Sequence, residues 1–308
     1  MVALVLFVVV ASVLVNSFGT VKNLQNVLIT VSFPAIIAIG MTMVIVTGGI
    51  DLSVGSVYAL AAILCTKVLD VNKGYGKGTI LAIGLALGAA LLIGLVQGLL
   101  IARVGLPPFI VTLAGLYGIR GLVYFVSNNG NDVFSAPRSG AFFKFGTGTL
   151  LTLGYPVLLA IALYAVWHVL LSRTSFGLTV YALGGSEDAS SLMGLKVRST
   201  KVWLYVMSAG LAGVAGILAA AYSQSGTPDL GRGYELNAIA AVVIGGTLLT
   251  GGAGSLIGTA AGVLLLGAVS SYINLGTSLP QAAQAVVTGV VVIVVVIVQR
   301  YLNRAQRR

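Results

Sequence analysis

Charge is what this sequence most lacks: only 8% of its 308 residues are Asp, Glu, Lys or Arg, where soluble domains carry roughly a quarter. Acids are the scarcer sign, seven against seventeen Lys and Arg. There is one Cys and one His, so neither a disulfide framework nor a thiolate zinc site can form within the chain, and no metal is expected. Cys65 lies inside an apolar run and His168 stands beside Trp167 near the end of another; both read as ordinary span residues. Apolar residues fill the remainder, 58% of the chain, with a mean hydropathy of +1.06. The fold class is therefore all-α, a polytopic membrane protein surrounded by lipid bilayer. A net charge of +10 raises the question of nucleic acid. The Lys and Arg residues, however, sit singly between apolar runs and at the C-terminus, as cytoplasmic anchors do, so no nucleic acid is expected.

Apolar runs give about ten spans when glycine interruptions are allowed. They fall near 2–15, 27–46, 54–69, 80–101, 109–126, 156–171, 202–222, 236–249, 256–273 and 282–298. The first lacks the leading Lys or Arg and the small-residue cleavage pattern of a signal peptide. An even number of spans places both termini on one side, and the tail with Arg300, Arg304, Arg307 and Arg308 makes that side cytoplasmic. The chain reads as one transmembrane domain, 1–308. Arg103, Arg173, Lys196, Arg198 and Lys201 then fall inside, and Asp70, Asp132, Asp229 and Glu235 outside. Lys22, Lys67, Lys73, Lys77, Arg138 and Lys144 also fall outside, against the rule.

Two polar stretches interrupt the pattern. Residues 127–155, external, are an ordered cap or a mobile loop. Residues 172–201, cytoplasmic, contain Gly184-Gly-Ser-Glu-Asp-Ala-Ser-Ser-Leu-Met-Gly194. A glycine pair followed by Ser and acids marks a helix start and the last glycine its end, so a short helix outside the membrane is expected.

Within the spans one residue is costly. Thr47-Gly-Gly-Ile-Asp-Leu-Ser-Val-Gly-Ser56 puts Asp51 in an apolar region, and a charge at mid-bilayer costs about 3 kcal/mol or more unless it is paired, hydrated or functional. The glycines let the backbone leave helical geometry, and Ser53 and Ser56 can satisfy freed backbone groups, so an interrupted helix or tight re-entry is expected. Gly245-Gly-Thr-Leu-Leu-Thr-Gly-Gly-Ala-Gly-Ser255 echoes this stretch without the acid. Paired interrupted segments in two halves are a mark of transporters. Glycines four apart, at 84 and 88, 94 and 98, and 254, 258 and 262, predict close helix contacts within one subunit. Arg120, near the outer end of its span, is expected to snorkel. Gly74-Tyr-Gly-Lys-Gly-Thr79 fails the phosphate-loop spacing, and no zinc or nucleophile motif occurs, so the chain is not expected to be an enzyme. A neutral hydroxylated solute needs hydroxyl, amide and aromatic partners. Asp51, Ser53, Thr112, Tyr124 and Asn237 are the candidate pathway residues, with Asp51 and Ser53 organising the interrupted segment.

Gly40-Met-Thr-Met-Val-Ile-Val-Thr-Gly-Gly-Ile-Asp-Leu-Ser-Val-Gly-Ser56, Pro108-Phe-Ile-Val-Thr-Leu-Ala-Gly115, Arg120-Gly121, the run from Gly184 to Gly194 and Glu235-Leu-Asn-Ala-Ile-Ala-Ala-Val-Val-Ile-Gly-Gly-Thr247 occur in this order. Together they resemble the permease subunits of bacterial ABC sugar importers, the ribose, arabinose, xylose and galactofuranose permeases, over about 23–299. The 184–194 run is most similar to galactofuranose permeases. The resemblance implies transport of a pentose or hexose across the bacterial cytoplasmic (inner) membrane by alternating access. It also implies a second permease subunit (homodimer or heterodimer), a cytoplasmic ABC ATPase that uses the ATP, and an extracytoplasmic sugar-binding protein. No cofactor is bound by the chain itself. Such permeases carry a coupling helix of pattern Glu-Ala-Ala, three residues, Gly. Here Asp188, Ala189 and Ser190 followed by Gly194 keep the spacing with two substitutions, so Gly184, Gly185, Glu187, Asp188, Ala189, Ser190 and Gly194 are the implied ATPase-coupling residues. The alternative from the residues alone is an ion-coupled secondary transporter or channel with Asp51 as the cation or proton carrier.

Overall fold

A computed structural model describes residues 2–70 and 78–276, with 286, 289, 290 and 293 beyond them. The expected last span, the Arg-rich tail, Lys73 and Lys77 thus lie outside the described residues, those four positions apart. The chain runs through α1 (Val2–Leu14), α2 (Val21–Val46), α3 (Val54–Leu69), α4 (Thr79–Leu99) with a π-type extension at Leu100–Val104, α5 (Pro108–Val126), β1 (Phe134–Ser135), α6 (Gly140–Thr147), β2 (Thr149–Leu150) and β3 (Leu153–Gly154). It continues through α7 (Tyr155–Arg173), α8 (Ser175–Gly185), α9 (Glu187–Leu192), α10 (Val197–Ser223), β4 (Ser225–Gly226), α11 (Tyr234–Ile244) and α12 (Leu256–Gly276). Among the described residues six helices, α2, α4 with its extension, α5, α7, α10 and α12, are long and apolar enough to cross a membrane, and α1, α3 and α11 are shorter apolar helices.

Small residues explain the arrangement. α10 is the central rod, buried along most of its length and packed on α2, α3 and α4. Its Ala and Gly residues, among them Ala209, Ala212, Gly213, Ala215 and Gly216, are buried and let neighbours approach. On α4 a β-carbon at Gly94 would stand 2.6 Å from the Tyr205 carbonyl oxygen, and one at Gly98 2.9 Å from that of Val202. On α12, Gly258 and Gly262 lie against the backbone of Gly245 and Ala241. The expected intrasubunit packing therefore holds for these glycines, but not for Gly84 and Gly88, whose β-carbon positions have nothing within 4 Å. The outer faces of α4, α5 and α7 expose Leu85, Leu92, Phe125 and Ile161, as a lipid-facing belt does.

Three local expectations can be set against the structure, and one of them is corrected. The helix expected over 236–249 ends at Ile244, because Gly246 takes φ +92 and breaks it. The stretch from Gly184 to Gly194 holds the expected short helix, α9. The glycine pair closes α8, and α9 begins at Ser186, whose hydroxyl accepts from the Ala189 amide at 3.2 Å, the usual N-cap role of serine. The alternatives for 127–155 resolve to an ordered cap. Phe134 and Phe142 are buried, β1 pairs antiparallel with β4 through Phe134–Gly226 and Ser135–Ser225, and α6 lies on α10.

Inserting a side chain at the α4–α10 contact should therefore cost about 1–3 kcal/mol. Gly98→Leu is expected to lower the thermal unfolding temperature of the detergent-purified protein clearly, and Gly84→Leu to leave it unchanged. Equal effects of the two would refute the packing account.

Candidate functional site

α2 stops at Val46, and Gly48, at φ +76, turns the chain back into a buried polar knot. Asp51 lies at its centre, 0% exposed. Its Oδ1 accepts from the Ser53 amide at 3.0 Å and the Ser53 hydroxyl at 2.7 Å, and its Oδ2 accepts from the Ser208 hydroxyl of α10 at 2.7 Å. Among the described residues no cation pairs with it. Ser208 is the twelfth residue of α10, about 16 Å from its start at 1.5 Å per residue, so the carboxylate sits deep in the bundle. The Thr112 hydroxyl of α5 reaches the Ile50 carbonyl at 3.1 Å and the Ser56 hydroxyl the Leu116 carbonyl at 2.8 Å. Gln97 of α4 stands 3.1 Å from the Ser53 hydroxyl through Oε1, while its Nε2 has no partner. Turning that amide over lets Gln97 donate to Ser53 and Ser53 donate to Asp51, so that the Ser53 hydroxyl proton is no longer claimed by two acceptors.

The second glycine-rich break, between α11 and α12, meets the first. The Gly252 amide donates to the Val46 carbonyl at 2.8 Å. Deeper in the bundle the hydroxyls of Thr42 on α2 and Thr259 on α12 lie 2.8 Å apart, both buried. α8 closes this junction. The Tyr181 hydroxyl donates to the Gly254 carbonyl at 3.0 Å, and Gly184 is pressed so closely on Val46 that a β-carbon would overlap its carbonyl oxygen. α9 then projects from α8. Glu187, Asp188 and Ala189 are exposed, Ser190 is buried, Leu192 and Met193 are 90% and 68% exposed, and Gly194 has φ +77 with open space around it. Lys201 of α10 pairs with Glu187 at 2.5 Å.

At the opposite end Arg120 does not snorkel. It is half-buried and its Nη1 donates to the carbonyls of Pro228 at 3.0 Å and Leu230 at 2.9 Å, clamping the α10–α11 loop. Tyr124 is drawn into the same loop, donating to Asp229 at 2.9 Å, with Arg232 hydrogen-bonded to its hydroxyl and ion-paired to Asp229 at 3.0 Å. Asn237 lies apart from all of these, in a cleft between α2, α11 and α12. Of the pathway candidates, Asp51, Ser53 and Thr112 are thus gathered into one closed knot, while Tyr124 and Asn237 stand elsewhere. Tyr181 and Thr259 were not singled out from the sequence, since a lone Tyr or Thr in a span carries no pattern. Among the described residues no three His, Cys, Asp or Glu side chains come together.

A bundle of apolar helices, two of them interrupted at glycine-rich turns that meet, defines a helical membrane protein of the transport type. The chain belongs to the family described as branched-chain amino acid transport system / permease component, whose model matches residues 23–296. It is 39% identical over 290 residues to the inner membrane ABC transporter permease protein YjfF of Escherichia coli K12, covering 93% of this chain and 86% of that one. It is 38% identical over 297 residues to the ribose import permease protein RbsC of Bacillus subtilis 168, covering 96% and 90%. It is also 35% identical over 308 residues to the L-arabinose ABC transporter permease protein AraH of Azospirillum brasilense, covering 100% and 88%. No solved structure matches it significantly.

Removing the carboxylate leaves three donors without an acceptor in a buried site, at about 1–3 kcal/mol for each unmet group. Thermal unfolding of purified protein should give losses in the order Ser208→Ala, Asp51→Asn, Asp51→Ala, the first about 1 kcal/mol. An Asp51→Ala protein as stable as wild type would contradict the knot.

Proposed function

We propose that the chain is the permease subunit of an ATP-binding-cassette importer that moves a monosaccharide, a pentose or hexose, across the bacterial cytoplasmic membrane by alternating access. The relatives support the solute class, since one is named for ribose import and another as an L-arabinose ABC transporter permease. The resemblance to galactofuranose permeases rests on the 184–194 run alone. The chain is one transmembrane domain of about ten spans with both termini cytoplasmic. Arg173, Lys196, Arg198 and Lys201 around α8 and α9 support that orientation.

The single observation that carries the reading is the α8–α9 unit. α9 offers an exposed acidic and apolar tip that, Lys201 apart, no described residue covers, while α8 grips both broken segments of the bundle through Tyr181 and Gly184. A short helix so tied transmits a push as a rigid displacement, which a mobile loop cannot. In this reading a separate cytoplasmic ATPase hydrolyses ATP and docks on Glu187, Asp188, Ala189 and Gly194. Ser190 is turned inward, and Gly184 and Gly185 join the tip to the bundle, Gly184 through its close seat on Val46. A second permease subunit and an extracytoplasmic sugar-binding protein complete the importer. Asp51 and Ser53, with Thr112, hold the interrupted segment in shape, and Tyr124 and Asn237 belong to the outer approach.

The test is reconstitution with the partner ATPase and binding protein. Gly194→Trp, or replacement of Asp188 and Ala189 together, should cut ATP-driven sugar uptake at least tenfold while the permease remains in the membrane. Accumulation of sugar by the permease alone would overturn the reading. Uptake that follows an ion gradient and vanishes in Asp51→Asn would replace it with a cation-coupled one.

A further inference from the structure

The cleft that holds Asn237 is lined in a way the packing of the bundle does not require. It measures about 750 Å3, within the ~300–1,000 Å3 range of small-molecule clefts. Among the described residues its walls are the first turns of α2 and α11, the last turns of α12 and Gly289, so it lies at the end of the bundle away from α8 and α9. Asn23, Asn26 and Thr30 share one face of α2 at helical spacing, and Ser270 and Asn274 share one face of α12 opposite Asn237. Among the described residues none that lines it is Asp, Glu, Lys, Arg or His.

Half of the polar side chains lining it are already engaged: the Asn23 amide donates to the Phe18 carbonyl at 2.8 Å, the Thr30 hydroxyl to the Asn26 carbonyl at 2.8 Å, and Tyr234 is bonded to Tyr58. Ser271 bonds Asn23 across the cleft floor at 3.1 Å. Among the described residues the side chains of Asn26, Asn237, Ser270 and Asn274 have no hydrogen-bond partner and are exposed. Pro34 stands inside α2 and has no N–H, so the Thr30 carbonyl four residues earlier loses its helical donor beside the cleft. Free amides, hydroxyls and a carbonyl are costly on a membrane protein's apolar flank and are kept where water or a solute meets them.

We propose that this cleft is a sugar-binding station on the outer side of the transport path, where amide, hydroxyl and backbone carbonyl groups hydrogen-bond the hydroxyls of a neutral monosaccharide. Val27, Val31 and the Tyr234 ring cover its C–H faces. The chemistry discriminates within the family. An amino acid brings a carboxylate and an ammonium, which call for charge partners that the cleft lacks, whereas a sugar needs the two-way hydrogen bonding of Asn and Ser. The inference rests on the importer reading above and adds where, and by which groups, the solute is held.

Cys65, the lone cysteine, is fully buried, so introduced cysteines report cleanly. In the assembled transporter in proteoliposomes, Asn237→Cys, Ser270→Cys and Asn274→Cys should react with a membrane-impermeant maleimide, and Leu85→Cys, on the lipid-facing side of α4, should not. Saturating D-ribose or L-arabinose, whichever the wild type carries, should slow labelling about fivefold. The double variant Asn237→Ala, Asn274→Ala should carry that sugar at least tenfold more slowly, with permease–ATPase assembly unchanged by gel filtration. Silent cysteines, or wild-type uptake in the double variant, overturn the cleft and leave the importer reading intact. A wild-type assembly that carries an amino acid and neither sugar overturns both.

Discussion

Everything in this fold depends on one constraint: a helix broken inside an apolar medium frees backbone groups that no water can meet, so each must find a partner in the chain. Among the described residues two such breaks meet, the second supplying a donor to the first and neighbouring helices supplying the rest. The Val46 carbonyl at the end of α2 is met by the Gly252 amide of the second break. The Ile50 carbonyl is met by Thr112, and the Gly254 carbonyl by Tyr181. Asp51 serves the same end as an acceptor, drawing the Ser53 amide and two hydroxyls onto one side chain. A carboxylate suits this place because it accepts without needing a donor of its own. Its cost is met by three hydrogen bonds rather than by a countercharge among the described residues.

The meeting of the two breaks has a mechanical consequence. α10 packs on α2, α3 and α4, while α12 packs on α11 and α2, so α2 is the shared wall between two packed groups. The groups are joined at one end by the glycine junction under α8 and, deeper, by the Thr42 and Thr259 hydroxyls. Glycine backbones in direct contact leave no soft side chain to absorb a displacement. In the proposed importer a displacement of α8 would act on α11 and α12 against α2, and the far ends of those same helices are walls of the Asn237 cleft.

How much of this could be read from the sequence depends on whether the signal is local. Residues 54–69 were delimited correctly because an apolar run flanked by Ser53 and Asp70 is a local pattern. The turn at Asp51 was legible for the same reason, through its glycines. Arg120 was misread because snorkelling depends only on the residue's own span, whereas its real partners, the Pro228 and Leu230 carbonyls, lie more than a hundred residues away. The second break was legible through its glycines too, but hydropathy, which does not register a change of φ, carried the span past Gly246 to residue 249. The polar face of α2 was within reach: Asn23, Asn26 and Thr30 have helical spacing, and only a count of polar rather than apolar residues would have exposed it.

The distribution of polar groups along the bundle separates holding from passing. At the Asp51 knot the groups are buried and, apart from Gln97 Nε2, have partners inside the protein. In the Asn237 cleft half of the polar side chains, those of Asn26, Asn237, Ser270 and Asn274, are exposed and without partners among the described residues. A polar group satisfied internally gains little from a passing solute, whereas an unsatisfied one gains a hydrogen bond each time a hydroxyl arrives. The knot is therefore suited to fixing the geometry against which the helices move, and the cleft to meeting what moves between them.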